Sequence, residues 1–128
     1  MSLREKLHVM VVDDMATSRG LITQALEELG VVNTVTEADA QSAFRTLSAR
    51  PMHLVISDYN MPGMDGLQLL EALRRTRSTA RIGFILVSGR VDDDIISRGK
   101  KLALNNFIAK PFDTNGLRNC IEKVVGRL

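Results

Sequence analysis

Residues Leu54-Val55-Ile56-Ser57-Asp58-Tyr59-Asn60-Met61-Pro62-Gly63-Met64-Asp65-Gly66 decide how this chain reads. Positions 54–57 form a short apolar run without the alternation of a half-exposed strand, so they predict a strand buried on both faces. Pro62, Gly63 and Gly66 then break any periodicity, which marks a loop. Asp65 can cap a helix whose apolar members are Leu67, Leu69, Leu70 and Leu73. The unit is therefore a buried strand, a loop that begins on an acid, and a helix.

The same unit recurs on both sides. Upstream, residues 7–12 form a near-continuous apolar stretch bounded by Asp13 and Asp14. Residues 15–29 carry Leu21, Ile22, Ala25, Leu26 and Leu29 at helical spacing, with Gly30 as the stop. Val- and Thr-rich residues 31–36 make a second strand. Asp39 caps a helix carried by Ala43, Phe44 and Leu47, and Pro51 ends it. Downstream, residues 82–87 are a fourth strand, and Asp92 opens a helix through Ile95, Ile96 and Leu102. Residues 107–109 are a short fifth strand cut by Pro111. Asp113 or Thr114 caps a last helix with Leu117, Cys120, Ile121, Val124, Val125 and Leu128 on one stripe. Five β-α units in a row predict an α/β fold: one five-stranded parallel sheet with right-handed crossovers and helices on both faces.

Composition narrows the class. A chain of 128 residues is expected to be one domain, and no output domain is expected after the last helix. Its 45% hydrophobic and 25% charged content excludes disorder. The single cysteine, Cys120, excludes an internal disulfide and a Cys-based zinc site, and reads as core. A net charge of +2 is too small for a nucleic-acid surface. Arg74, Arg75 and Arg77 read as the solvated end of a helix. His8 and His53, both in apolar surroundings, read as structural. The apolar runs are far shorter than the roughly 20 residues a membrane helix needs, and the N-terminus lacks a signal core. The expectation is a cytoplasmic monomer.

In an open α/β sheet, ligands bind at the carboxyl ends of the strands. There stand Asp13 and Asp14 after the first strand, Asp58 after the third, Ser88 and Gly89 after the fourth, and Lys110 after the fifth. Three carboxylates in one pocket repel one another unless cations join them. Lys110 is one cation. A divalent ion would supply the rest, and an all-oxygen site suits Mg²⁺. Such a pocket is built for a phosphoryl group, with an aspartate placed to act as nucleophile.

These residues resemble the receiver domain of two-component response regulators, in its stand-alone form. The motifs are Val-Val-Asp13-Asp14, Ile-Ser-Asp58-Tyr-Asn60-Met-Pro-Gly-Met-Asp-Gly66, Val-Ser88-Gly89 and Lys110-Pro111-Phe112, and the likeness spans residues 7–128. The resemblance implies a doubly wound, flavodoxin-like three-layer α/β/α fold with strand order 2-1-3-4-5, known for that family. It implies that Asp58 accepts the phosphoryl group, that Asp14 ligates Mg²⁺ directly and Asp13 through water, and that the Asn60 backbone carbonyl completes the metal shell. Lys110 would contact the phosphoryl group, Ser88 would be the switch hydroxyl, and Phe107 the aromatic that turns inward. The Lys110-Pro111 bond is expected cis. The donor would be a histidine kinase. The target would be a protein, with chemotaxis as the pathway and the flagellar motor switch as the partner, reached through the fourth helix, fifth strand and fifth helix. The chain would catalyse only its own phosphotransfer and dephosphorylation.

Three positions depart from the family pattern. Phe107 stands where many relatives have Tyr. Arg90 is a long cation which, with Asn60, is expected to modulate the lifetime of the acyl phosphate. Ala103 stands where relatives often place Gly, which points to Asn105 or Asn106 as the left-handed residue. Competing readings are a phosphate sink or shuttle for a shared kinase, an aspartyl-nucleophile phosphohydrolase and an FMN carrier. The hydrolase reading wants an acid at position 60, where Asn60 stands. Asp13 and Asp14 would repel an FMN phosphate, and no Walker-type loop is present for ATP.

Overall fold

A computed structural model describes residues 2–90 and 92–128. Five strands, β1 (His8–Val12), β2 (Asn33–Glu37), β3 (Leu54–Asp58), β4 (Gly83–Ser88) and β5 (Asn106–Ala109), form one parallel sheet in the order β2-β1-β3-β4-β5. The helices are α1 (Leu3–Lys6), α2 (Ala16–Glu28), α3 (Ala40–Ala49), α4 (Gly66–Arg75), α5 (Asp93–Lys101) and α6 (Thr114–Val125), with a 3₁₀ turn at Arg77–Thr79. Among the described residues no helix is long and apolar enough to cross a membrane.

Successive side chains of a strand point to opposite faces, and the core divides accordingly. Val9, Val11, Leu54, Ile56, Ile85 and Val87 pack on one face, under α2 and α6. Met10, Val12, Val55, Phe84 and Leu86 pack on the other, under α3, α4 and α5. The central strands β1, β3 and β4 are buried almost throughout, whereas the edge strands β2 and β5 are half exposed. That difference follows from having a neighbour on one side only.

Four aspartates start helices as the sequence predicts. Asp39, Asp65, Asp92 and Asp113 accept backbone N–H groups from Ser42, Gln68, Ile95 and Gly116 at 2.6–3.0 Å. Of the two candidates for the last cap, Asp113 is the one used. Gly30 ends α2 at φ +84°. His53 Nδ1 accepts the His8 backbone N–H at 2.9 Å, and the two rings lie 5.7 Å apart at the start of β1 and β3, a structural pairing as expected. Burial pushes the Cys120 thiol up to about 11, so it stays protonated in its core position.

Four expectations need correction. The run of five β-α units is preceded by a further helical turn, α1, in which the Ser2 hydroxyl donates to Glu5 Oε1 at 2.9 Å. Four residues are too few to show a helical period. Leu21, read as part of the apolar stripe of α2, is 62% exposed. The left-handed residue after α5 is Ala103 (φ +57°), not Asn105 or Asn106. Leu104 N–H bonds to Gly99 O at 2.9 Å and Ala103 N–H to Lys100 O at 3.2 Å, the paired closure of a helix end. The asparagines are engaged elsewhere: Asn105 Oδ1 accepts from Phe84 N–H at 2.8 Å, and Asn106 Nδ2 donates to Cys120 O at 3.2 Å.

The fourth correction is Arg74. Arg75 and Arg77 are exposed, but the Arg74 guanidinium lies against backbone. Its Nε donates to Leu102 O, Nη1 to Ala80 O and Ile82 O, and Nη2 to Ala103 O and Asn105 Oδ1, at 2.7–3.1 Å. All five N–H donors are therefore used, and they join the end of α4 to the segments that enter β4 and β5. Burial draws its pKa below the ordinary arginine value. Lysine could not span these carbonyls, since its donors radiate from one nitrogen. Arg74→Lys is expected to lower unfolding free energy in denaturant by about 1–3 kcal/mol, allowing for partial solvent screening. A loss under about 0.5 kcal/mol would mean the five contacts contribute no more than an ordinary surface side chain.

Candidate functional site

Strand register assembles the site. Val12 pairs with Ser57, Asp58 with Val87, and Ser88 with Ala109. The residues at or just beyond these ends, Asp13, Asp58, Ser88 and Lys110, therefore meet at one edge of the sheet. The centre of this edge is deeply placed: Asp13 is fully buried and Asp58 is 8% exposed, while Asp14 is exposed.

Carboxylate oxygens of Asp13, Asp14 and Asp58 all lie within 4.8 Å of one another. Lys110 Nζ stands 3.1 Å from Asp58 Oδ1 and 3.7 Å from Asp13 Oδ2. Three carboxylates against one ammonium leave two negative charges uncompensated. Burial is the largest influence on Asp58 and raises its pKa; Lys110 opposes this, and Asp13 and Asp14 add to it. Asp13 Oδ1 accepts the Met15 N–H at 2.9 Å, whereas Asp13 Oδ2 is buried without a hydrogen bond. An orphaned, buried carboxylate oxygen beside two more carboxylates fits a hard divalent cation such as Mg²⁺. Asp13, Asp14 and Asp58 could hold it.

The remaining sequence-predicted residues divide. The Ser88 hydroxyl donates to Arg90 O at 2.6 Å and accepts the Arg90 N–H at 3.1 Å, so it is turned onto its own loop. Asn60 is exposed at the start of the loop that follows Asp58. Arg90 is not drawn onto the acids; its exposed guanidinium pairs with Asp92 at 3.3 Å. Phe107 is 40% exposed on β5 rather than packed in the core. The Lys110–Pro111 bond is cis, as the resemblance implies.

Sequence reasoning missed three neighbours. Ser18 Oγ accepts from Lys110 Nζ at 3.1 Å, Arg19 Nη1 donates to Asp13 O at 2.7 Å, and Arg98 Nη1 on α5 donates to Tyr59 Oη at 3.2 Å. Each reads as an ordinary polar helix residue, and nothing in the local pattern names its partner. A cleft of about 660 Å³ opens beside Lys110, between α2 and the loop after β5, lined by Ser18, Leu21, Ile22, Lys110, Pro111 and Phe112. Leu21 is exposed because it faces this cleft.

Comparison with known proteins agrees with the geometry. Residues 9–122 match the family model described as the response regulator receiver domain. A Rhizobium etli protein named probable chemotaxis protein CheY is 39% identical over 128 residues, covering 100% of this chain and 99% of that one. The chemotaxis protein CheY of Pseudomonas aeruginosa is 30% identical, with 95% and 98% covered. A solved response regulator receiver protein from Pseudomonas putida is 29% identical, with a TM-score of 0.82 over 91% of this chain and 96% of that one. Chemotaxis protein CheY4 of Vibrio cholerae has the same fold, with a TM-score of 0.86 at 24% identity over 92% of this chain and 98% of that one.

Proposed function

Because the chain belongs to the response regulator receiver domain family, we propose that it is a phosphorylation-dependent signalling switch with Asp58 as the acceptor. One observation carries this reading. Asp58, at the end of the central strand, has an ammonium 3.1 Å from one oxygen and two further carboxylates within 4.8 Å. That is the setting for a nucleophile facing a transferring phosphoryl group.

The donor is a phosphohistidine of a histidine kinase. An Asp58 oxygen attacks phosphorus, the nitrogen–phosphorus bond breaks, and the imidazole leaves. Lys110 pairs with a phosphoryl oxygen and offsets its charge. Asp13, Asp14, Asp58 and the Asn60 backbone carbonyl would hold a divalent metal. Mg²⁺ there supplies charge neutralisation for the phosphoryl oxygens. Asn60 and Arg90, both exposed, regulate the approach of water to the acyl phosphate and so its lifetime.

Phosphorylation shifts a two-state equilibrium. Ser88 leaves the Arg90 backbone for the phosphoryl group, and exposed Phe107 turns inward. The surface of α5, β5 and α6 changes, and with it the affinity for a partner protein. Two relatives carry chemotaxis names, which supports chemotaxis as the pathway; the partner in this reading is the flagellar motor switch. The chain works in the cytoplasm and catalyses only its own phosphotransfer and dephosphorylation.

Incubation with Mg²⁺ and a small phosphodonor, followed by intact-mass measurement, tests this. The chain should gain one phosphoryl group, and chelation should abolish the gain. No gain with Mg²⁺, or an equal gain without it, would contradict the reading.

A further inference from the structure

We propose that Ser18 is a positioning residue for Lys110: its hydroxyl fixes where the ammonium stands when phosphorus reaches Asp58. The inference rests on Asp58 being the acceptor, and deepens that reading by adding a residue from α2 to the site.

An ammonium carries three N–H donors. Around Lys110 Nζ stand three oxygens: Asp58 Oδ1 at 3.1 Å, Ser18 Oγ at 3.1 Å and Asp13 Oδ2 at 3.7 Å. Two of them belong to groups that the chemistry alters. Asp58 becomes an acyl phosphate, and Asp13 Oδ2, which has no hydrogen bond, is an oxygen that a bound cation would engage. Ser18 is different. Its oxygen is neutral, and it is mounted in the first turn of a thirteen-residue helix that packs on the sheet through Ile22, Ala25 and Leu26. It is the contact that neither metal binding nor phosphoryl transfer disturbs.

Lysine ends in a mobile point charge on a four-carbon stem. The Lys110 side chain is 30% exposed, so solvent competes for it. A fixed oxygen on the α2 side keeps the ammonium over Asp58 while its carboxylate partners change. Misplacing a catalytic charge by a fraction of an ångström is costly, because transfer depends on position. The role is not one of fold stability: alanine is the better helix former, so Ser18→Ala should not loosen α2.

The test compares wild type, Ser18→Ala and Ser18→Thr. Initial rates of phosphoryl uptake from acetyl phosphate in Mg²⁺ are read by intact mass, with Asp58→Asn as control. In metal-free protein, proton exchange of the Lys110 ammonium is read by nitrogen-15 NMR, and thermal unfolding gives the stability. Ser18→Ala should slow uptake about three- to tenfold, part of the strength of one charge-assisted hydrogen bond. It should also speed exchange of the Lys110 ammonium without lowering the unfolding midpoint. Ser18→Thr, which keeps the hydroxyl, should restore both to within about twofold. Wild-type uptake rate and wild-type ammonium exchange in Ser18→Ala would overturn the inference alone, provided wild type labels and Asp58→Asn does not. Labelling of Asp58→Asn at the wild-type level, or none in wild type, would overturn the Asp58 reading and this inference together.

Discussion

Asp58→Asn is expected to take up no phosphoryl group and to unfold at a higher temperature than wild type at neutral pH. Loss of uptake follows from chemistry, since a carboxylate oxygen is the nucleophile and an amide is not. The gain in stability follows from placement. Burial, reinforced by Asp13 and Asp14 and opposed by Lys110, raises the Asp58 pKa in the folded chain. The folded state therefore holds that proton more tightly than the unfolded one. The stability this confers is complete below the ordinary carboxyl value of 3.8 and is lost as pH rises through the raised folded value. Ionising Asp58 therefore costs more in the folded chain than in the unfolded one, and asparagine removes that cost while Lys110 keeps Asp13 and Ser18 as partners. Thermal unfolding in chelator should show a higher midpoint at neutral pH, a gain that shrinks as pH falls and vanishes below about 3.8. An equal or lower midpoint at neutral pH would mean that the acids do not strain one another as the geometry implies.

Gly66→Ala should damage both stability and uptake. A Cβ at position 66 would stand 2.5 Å from Asp58 O, 2.8 Å from Leu86 Cδ1 and 3.1 Å from Tyr59 Cα. The Leu86 methyl can turn aside, but the two backbone contacts belong to the end of β3 and the residue after it. Gly66 N–H also donates to Tyr59 O at 2.9 Å, so the start of α4 is fastened there. Alanine must push α4 and the strand end apart. The expected loss is about 3 kcal/mol in denaturant unfolding, the upper part of the range for overpacking, and alanine's better helix propensity offsets only about 1 kcal/mol of the gross strain. Because the displaced strand end carries Asp58, uptake should also fall about tenfold or more. A variant within about 1 kcal/mol of wild type, with unchanged uptake, would show that the end of β3 yields freely.

The acids and the lysine were legible because each follows a short apolar run, and a parallel sheet brings the carboxyl ends of its strands together. Asp13, Asp58 and Lys110 needed no knowledge of side-chain contacts. Arg74 was opaque for the opposite reason. Its partners are backbone oxygens, which any residue supplies, so its neighbours in sequence said only that it was one of three clustered cations. Ser18 lies 92 positions from its partner, and a serine on the polar side of a helix looks the same with or without one. Ala103 defied composition because the two asparagines better suited to the left-handed region were already holding Phe84 N–H and Cys120 O. Gly66 read as turn chemistry, whereas its demanding feature is the strand end pressed against its α-carbon.

Phosphorus should reach one particular carboxylate. Borohydride reduction of the phosphorylated chain converts an aspartyl phosphate to homoserine, and peptide mass mapping finds where. Homoserine is expected at position 58 and nowhere else. Homoserine at position 13 or 14, or phosphate surviving reduction on Ser18 or Ser88, would contradict it.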